Sequence, residues 1–435
     1  MMNHFYRDAL DVYRHCFRKQ ILAASLGNTL EWFDFGLFIY LAPIIGENFF
    51  SKNDPTLATI AAYIVFAAGF ICRPLGGMLF GHAGDTLGRV KTLRISILVI
   101  TLSTLCIGLL PTYEKIGILA PILFTLFRLT HGLSIGGEYS GVMIYLAESA
   151  PQNHRGLVTS FAASGANIGF LIATIALLLL THFLSPHALS AWGWRIPFIL
   201  TSFIGSILIY FRFRLQETPV FSKLQRHDQI AQHPLMTALK THRKQLLQIF
   251  GLTGMGATLY YLFFGFMPGL LSKQGVLVDS NALILQGGFL LSMLLFVPFA
   301  ALIGDRLGRR KVLIFTALGI IIFAVPNFYL LQSQSVHAIF FAFLIATLLS
   351  SFDQGNTLTA VVETCPANIR YSGIAFAYNI GIAIFGGTTP VIATMLYQEV
   401  NAMAPAYYLI LVTSVSLIAT FSLSARRQKT DTVAF

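Results

Sequence analysis

The chain has 435 residues, of which 55% are apolar, 13% aromatic and only 11% charged, and its mean hydropathy is +0.71. Soluble domains of ordinary size would number about three at this length, yet apolar runs long enough to cross a bilayer recur from end to end. A water-soluble enzyme is excluded, and the net charge of +11 asks for an explanation.

Residues 1–19 are polar and hold four basic side chains, the reverse of a cleavable secretory leader, so the N-terminus is expected to stay in the cytoplasm. Polar and Pro/Gly clusters divide the rest into twelve spans near 20–47, 57–80, 92–111, 116–147, 157–183, 194–212, 245–271, 281–303, 312–331, 336–362, 372–396 and 405–424. Cytoplasmic loops are enriched in Lys and Arg, and 23 of the 29 such residues fall in the two tails or in loops that follow even-numbered spans. Lys52, Lys115, Arg195 and Lys273 fall on the other side, and Arg73 and Arg128 inside spans. Both termini inside the cell give that asymmetry, so topology accounts for the basic charge, and a tail such as Arg426, Arg427 and Lys429 has anionic lipid to meet. The longest polar stretch, 214–244, reads as a cytoplasmic linker with one surface helix and no chemistry. It separates a bundle at 20–213 from one at 245–424, and a short cytoplasmic tail, 425–435, ends the chain. Cys16, Cys72, Cys106 and Cys365 form no CxxC pair, so they are expected to be inert thiols, with no disulfide framework and no metal site.

The two halves repeat. GHAGDTLGRVK (81–91) matches ALIGDRLGRRK (301–311), GNTLEWFDFG (27–36) matches GATLYYLFFG (256–265), and EYSGVMIYLAESAPQNHR (138–155) matches DQGNTLTAVVETCPANIR (353–370). The offsets are 220, 229 and 215, and each pair occupies the same helix number in its half. The expected fold is an all-α membrane protein of twelve transmembrane helices in two pseudo-symmetric six-helix bundles, with a substrate near the midplane between them.

The repeated GDxxGR loop resembles the signature of the major facilitator superfamily. With it, GNTLEWFDFG, RPLGG (73–77), GGEYSG (136–141), WGWRIPF (192–198), QETP (216–219) and PAYYL (405–409) resemble the metabolite:proton symporters, and among them the bacterial proline/glycine betaine transporters, over about residues 18–424. The resemblance implies the major facilitator fold and a multi-pass transporter of the bacterial inner membrane, driven by a proton gradient without a cofactor. Other members carry ketoglutarate, citrate or shikimate. Osmosensing betaine transporters often carry a long coiled-coil extension, and with about 11 residues after the last span regulation of that kind is not expected.

An ionised side chain at the bilayer centre costs about 2.5–3.5 kcal/mol even on insertion scales, so the six inside spans (Glu31, Asp34, Arg73, Arg128, Glu138 and Asp353) each ask for a reason. Four acids face two bases, and at least one acid is expected to exchange protons. Gly27, Glu31, Asp34 and Phe38 share one helical stripe, as do Arg128, His131, Ile135 and Glu138. We read both stripes as facing the cavity, with Glu31 and Asp34 as the proton-coupling pair, Glu138 and His131 in support, and Arg128 as counterpart or anchor for a substrate carboxylate. A buried structural salt bridge between these helices is the plain alternative. In the repeat Glu31 aligns with Tyr260, Trp32 with Tyr261 and Asp34 with Phe263, so one half supplies charge where the other supplies rings. That polarity suits a zwitterion whose cation meets aromatic faces. Trp32, Tyr139, Tyr260, Tyr261 and Tyr378 are the ring candidates, of which two are expected to serve, with Arg73, Asn379 and Asp353 as further substrate contacts.

Asp85, Arg89 and Lys91 of the first loop, Asp305 and Arg309 of the second, and Glu148, Arg155, Glu363 and Arg370 at the ends of neighbouring spans form a candidate conformational latch. Asp85 is placed to cap a neighbouring helix and pair with Arg89, and such pairs are weak enough to break as the halves rock. Four-residue steps of small side chains (Gly77 with Gly81, Gly132 with Gly136, Gly165 with Gly169, Gly373 with Ala377 and Gly381) mark close packing, and Pro43, Pro74, Pro268, Pro298 and Pro390 mark interruptions. No GxSxG elbow, HExxH pair or Walker loop is present, which argues against an enzyme or a primary pump. The expected function is proton-coupled symport of proline, glycine betaine or a similar zwitterion by a monomer in the lipid bilayer. The alternative is a dicarboxylate, ketoacid or shikimate symporter in which Arg73 and Arg128 both bind carboxylates.

Overall fold

The computed structural model describes residues 19–50, 55–273, 279–333 and 335–423. Cys16, Lys52, Arg426, Arg427 and Lys429 lie outside the described residues, as do the C-terminal tail and most of the N-terminal one. Among the described residues every regular element is a helix, and twelve helices are long and apolar enough to cross a membrane. In chain order these are α1 (Ile21–Phe49), α2 (Leu57–Thr86), α3 (Arg89–Leu109), α4 (Leu119–Ser149), α5 (Gln152–Phe183), α6 (Arg195–Phe213), α7 (Arg243–Leu271), α8 (Leu283–Leu307), α9 (Arg309–Gln332), α10 (Val336–Thr364), α11 (Ala367–Glu399) and α12 (Ala404–Phe421). The chain is therefore a multi-pass membrane protein of two bundles. α2 and α8 overrun their apolar stretches and end at the GDxxGR loops, because a helix once nucleated propagates without further apolar residues. The linker carries two short helices, Pro219–Arg226 and Pro234–Thr241, where one was expected, each opened by a proline in its first turn.

Packing follows the repeat: α1 on α5, α2 on α4 and α3 on α6 are matched by α7 on α11, α8 on α10 and α9 on α12. The halves meet where α2 lies on α11 and α5 on α8. These approaches use small residues, since hydrocarbon supplies no hydrophobic drive between helices. A Cβ at Gly136 would strike the backbone of Arg73, one at Gly77 the backbone of Ala375, and one at Gly81 would lie 2.7 Å from the Cα of Ser372. Large apolar side chains such as Leu295 and Phe315 point outward. α7 and α11 are interrupted by π turns at Tyr261–Phe266 and Ile382–Gly387, each shortly before a proline, Pro268 and Pro390. Pro43, Pro74 and Pro298 lie within continuous helix.

Candidate functional site

The charged stripes of α1 and α4 meet inside the first bundle. Asp34 Oδ2 lies 2.9 Å from Arg128 Nη1 and 2.9 Å from His131 Nδ1, and its Oδ1 accepts from Thr104 Oγ1 at 3.2 Å. The Arg128 guanidinium also sits 4.2 Å over the Phe38 ring. Two turns beyond His131, Glu138 is clasped by Arg212 of α6 through both oxygens, Nη1 to Oε2 at 2.8 Å and Nη2 to Oε1, and takes Ser96 Oγ at 2.5 Å. Arg212 is fully buried, whereas its position near a span end had read as an ordinary loop base. Both stripes are expected to face the space between the bundles, but Asp34, Arg128, His131 and Glu138 are not among the residues lining the cavity there. Neighbouring helices supply fixed partners for Asp34, Arg128, His131 and Glu138. Glu31 differs, being buried with neither carboxylate oxygen hydrogen-bonded among the described residues. It lies within electrostatic reach of Arg73, Glu138, Arg212 and Asp34.

Between the bundles lies a cavity whose empty space, with the open solvent at its mouth, amounts to about 660 Å³. All five ring candidates line it, Trp32, Tyr139, Tyr260, Tyr261 and Tyr378, together with Arg73 and Asp353. Tyr139 and Tyr378 stack at 5.8 Å across the two halves, and Trp32 meets Tyr139 edge-on at 5.5 Å. Arg73 is the one base of the lining. Its guanidinium lies 5.6 Å from the Trp32 ring and 5.5 Å from Phe70, and Nε and Nη1 are buried without a hydrogen-bond partner among the described residues. Asn167 Nδ2 donates to Gln354 Oε1 at 3.0 Å across the lining, a polar pair that sequence reasoning missed. Asn379 is not a lining residue. Its amide donates to the carbonyls of Gly136 (2.8 Å) and Ala375 (2.6 Å), binding α11 to α4, because the backbones there are close enough for one short side chain to bridge.

Beyond the cavity the GDxxGR loops join the two halves. Asp85 Oδ1 and Oδ2 accept from the Tyr371 and Ser372 N–H groups at 3.0 and 2.8 Å, at the N-terminal end of the helical segment Arg370–Gly381 in the other half. Asp305 does the same for Gly156 and Leu157 of α5 at 2.9 and 3.0 Å. Each acid thus meets the positive end of a helix across the seam. Arg89 bonds Asp85 (2.9 Å), Glu148 (3.3 Å) and the Ala367 carbonyl (2.7 Å), while Arg370 reaches Glu148 at 2.9 Å. Arg309 hydrogen-bonds Asp305 at 2.9 Å and forms an ion pair with Glu363 at 3.3 Å, and Arg155 reaches Glu363 at 3.5 Å. Lys91 is exposed and joins none of these pairs, because it projects from the outer face of α3. The linker joins instead: Thr218 Oγ1 donates to Glu148 Oε2 at 2.6 Å, and Glu217 accepts from the Val90 N–H at 3.1 Å and the Thr218 N–H at 2.8 Å. The QETP motif was the available signal for this contact, Thr before Pro being an N-cap pattern. Among the described residues no group of three or more His, Cys, Asp or Glu side chains is placed to hold a metal ion.

A family model described as "Sugar (and other) transporter" matches residues 20–237 and again 222–430. The glycine betaine/proline/ectoine/pipecolic acid transporter OusA of Dickeya dadantii is 37% identical over 92% of this chain and 82% of its own length. The proline/betaine transporter of Escherichia coli K12 is 35% identical over the same shares. Among solved structures, the proton:xylose symporter XylE of the major facilitator superfamily, bound to 6-bromo-6-deoxy-D-glucose, has a TM-score of 0.74 at 17% identity, covering 94% of this chain and 95% of that one.

Proposed function

Since the chain belongs to the sugar (and other) transporter family of the major facilitator superfamily, and is a transporter and not an enzyme, we propose that it imports a small zwitterion such as proline or glycine betaine together with protons. The observation that carries this reading is Arg73, a buried guanidinium with open donors in a cavity that five candidate rings also line. A carboxylate on Arg73 and an ammonium among Trp32, Tyr139, Tyr260, Tyr261 and Tyr378 match a zwitterion. The dicarboxylate alternative needs a second base at the site, and Arg128 is held by Asp34 instead. The relatives named for proline and betaine support the same choice.

Glu31 is the proposed proton carrier, because an ionised carboxylate without a partner is costly in a dry site and a proton removes that cost. Basic loops assign the GDxxGR face to the cytoplasm, of a bacterial inner membrane, with both termini inside and the chain acting as a monomer. The solute then enters from the opposite face while the seam is shut and leaves when the halves rock. Uptake into proteoliposomes of proline, betaine, ketoglutarate, citrate and shikimate, with pH gradient and voltage set separately, tests this. We expect accumulation of the zwitterions alone, lost in Arg73→Gln. Accumulation of citrate or ketoglutarate, or indifference to Arg73, would refute it.

A further inference from the structure

Asp353 is a cavity acid whose charge nothing among the described residues answers. It is only 4% exposed, Oδ1 accepts from Thr357 Oγ1 at 2.7 Å, and Oδ2 has neither hydrogen bond nor ion pair among the described residues. Its equivalent in the repeat is Glu138, and there the charge is answered by Arg212 through both oxygens. Arg212 has room because α1 is reduced to backbone at Gly27, where a Cβ would collide with the guanidinium. The repeat equivalent of Gly27 is Gly256 on α7, and a Cβ there would collide with the Asp353 carboxylate. Both halves therefore clear the first helix of the bundle opposite the acid of the fourth. In one half the cleared space holds an arginine; in the other it holds the acid alone, at the wall of the cavity.

We infer that Asp353 is the counter-charge for the cationic nitrogen of the solute, which fills the role that Arg212 fills in the other half, and that this residue makes the cavity select zwitterions over carboxylates without a cation. The inference rests on the zwitterion reading above. A buried charge left unpaired penalises any occupant that brings no opposite charge. A cyclic or methylated ammonium beside Asp353 removes that penalty, and a hydrocarbon of the same shape does not.

Calorimetric binding to the purified protein tests this with two matched pairs, proline against cyclopentanecarboxylate and glycine betaine against 3,3-dimethylbutanoate. Each pair shares its carboxylate and shape and differs in the cation. In the native protein the zwitterion is expected to bind the tighter of each pair. That ratio is expected to fall at least about tenfold in Asp353→Asn, as for loss of one partner of a buried charge pair, and to survive in Asp353→Glu. An unchanged ratio in Asp353→Asn overturns the assignment. Should Asp353→Asn fail to fold, Gly256→Ala decides, since the added Cβ drives the carboxylate from its seat: a fallen ratio supports the role and an unchanged one overturns it. Native protein that binds neither zwitterion overturns the zwitterion reading itself, whereas tight zwitterion binding indifferent to Asp353 overturns this inference alone.

Discussion

Glu31 and Asp34 stand one helical turn apart on α1, and their surroundings give them opposite prospects. Asp34 holds Arg128, His131 and Thr104 together, so Asp34→Asn leaves a buried guanidinium without its counter-ion, a loss of roughly 3 kcal/mol or more. Glu31 accepts no hydrogen bond among the described residues, so Glu31→Gln is expected to keep the melting temperature and to retain exchange of labelled for unlabelled solute. Accumulation under an imposed pH gradient should nevertheless disappear. If accumulation survives Glu31→Gln and is lost in a folded Asp34→Asn, the proton role returns to Asp34. From the sequence the two acids were indistinguishable, because a stripe of four, three and four residues reports which side chains share a face and says nothing of what that face meets. The partner that settles Glu138, Arg212, lies 74 residues away, and at a span end it looked like any topological base. The rings were legible as a class from the repeat, but that all five converge depends on how α1, α4, α7 and α11 turn about their axes, which apolar composition on every face leaves undefined.

Helices as elements were legible because a bilayer demands long apolar runs. Their ends and interruptions were less so: the π turns of α7 and α11 carry no hydropathy signal, though each precedes a proline. The loop glycines are a case where the motif has a backbone reason. Gly88 and Gly308 have φ of 111° and 93°, a region that L side chains rarely adopt, and each directly precedes the helix that follows. Beside Gly88 the linker presents Glu217 to the Val90 N–H. Burial pushes the Glu217 carboxyl above the usual carboxylate range, against the pull of its two backbone donors and Arg89. With the folded value above the unfolded one, the stability this group contributes is complete below the unfolded value and is lost as pH rises through the folded one. Glu217→Gln keeps an acceptor for Val90. It should therefore match the native melting temperature near about pH 4 and exceed it near about pH 8. A mutant less stable at the higher pH would show that the negative charge, held at the start of α3, is itself the stabilising feature.

At the scale of the whole molecule, two bundles built alike close on each other through exchanged caps: Asp85 serves α11 and Asp305 serves α5. The exchanges are unequal in their surroundings. Around Asp85, Arg89 and Glu148 are buried, and Arg370 and Thr218 bond Glu148, while Glu363 on the other side is 28% exposed with pairs of 3.3 and 3.5 Å. Exposed pairs are worth about 0–1 kcal/mol, whereas a carboxylate at a partly buried helix terminus is worth up to about 2 kcal/mol. Loss of the Asp85 cap should therefore open the seam more often than loss of the Glu363 pairs. Cys365 reports on it, because it is buried beside Arg370, whose Nε bonds the Cys365 carbonyl at 3.1 Å. Burial pushes its thiol up to about 12, so in the closed seam almost no thiolate is present to react with a maleimide. With Cys16, Cys72 and Cys106 replaced by serine, Asp85→Asn is expected to label at Cys365 about fivefold faster or more, the population shift that a loss of about 1 kcal/mol produces. Glu363→Gln should stay within about twofold of the parent. Equal rates in all three proteins would mean that the seam is held by apolar packing of α2 on α11 and α5 on α8, and that the exchanged caps serve folding and not gating.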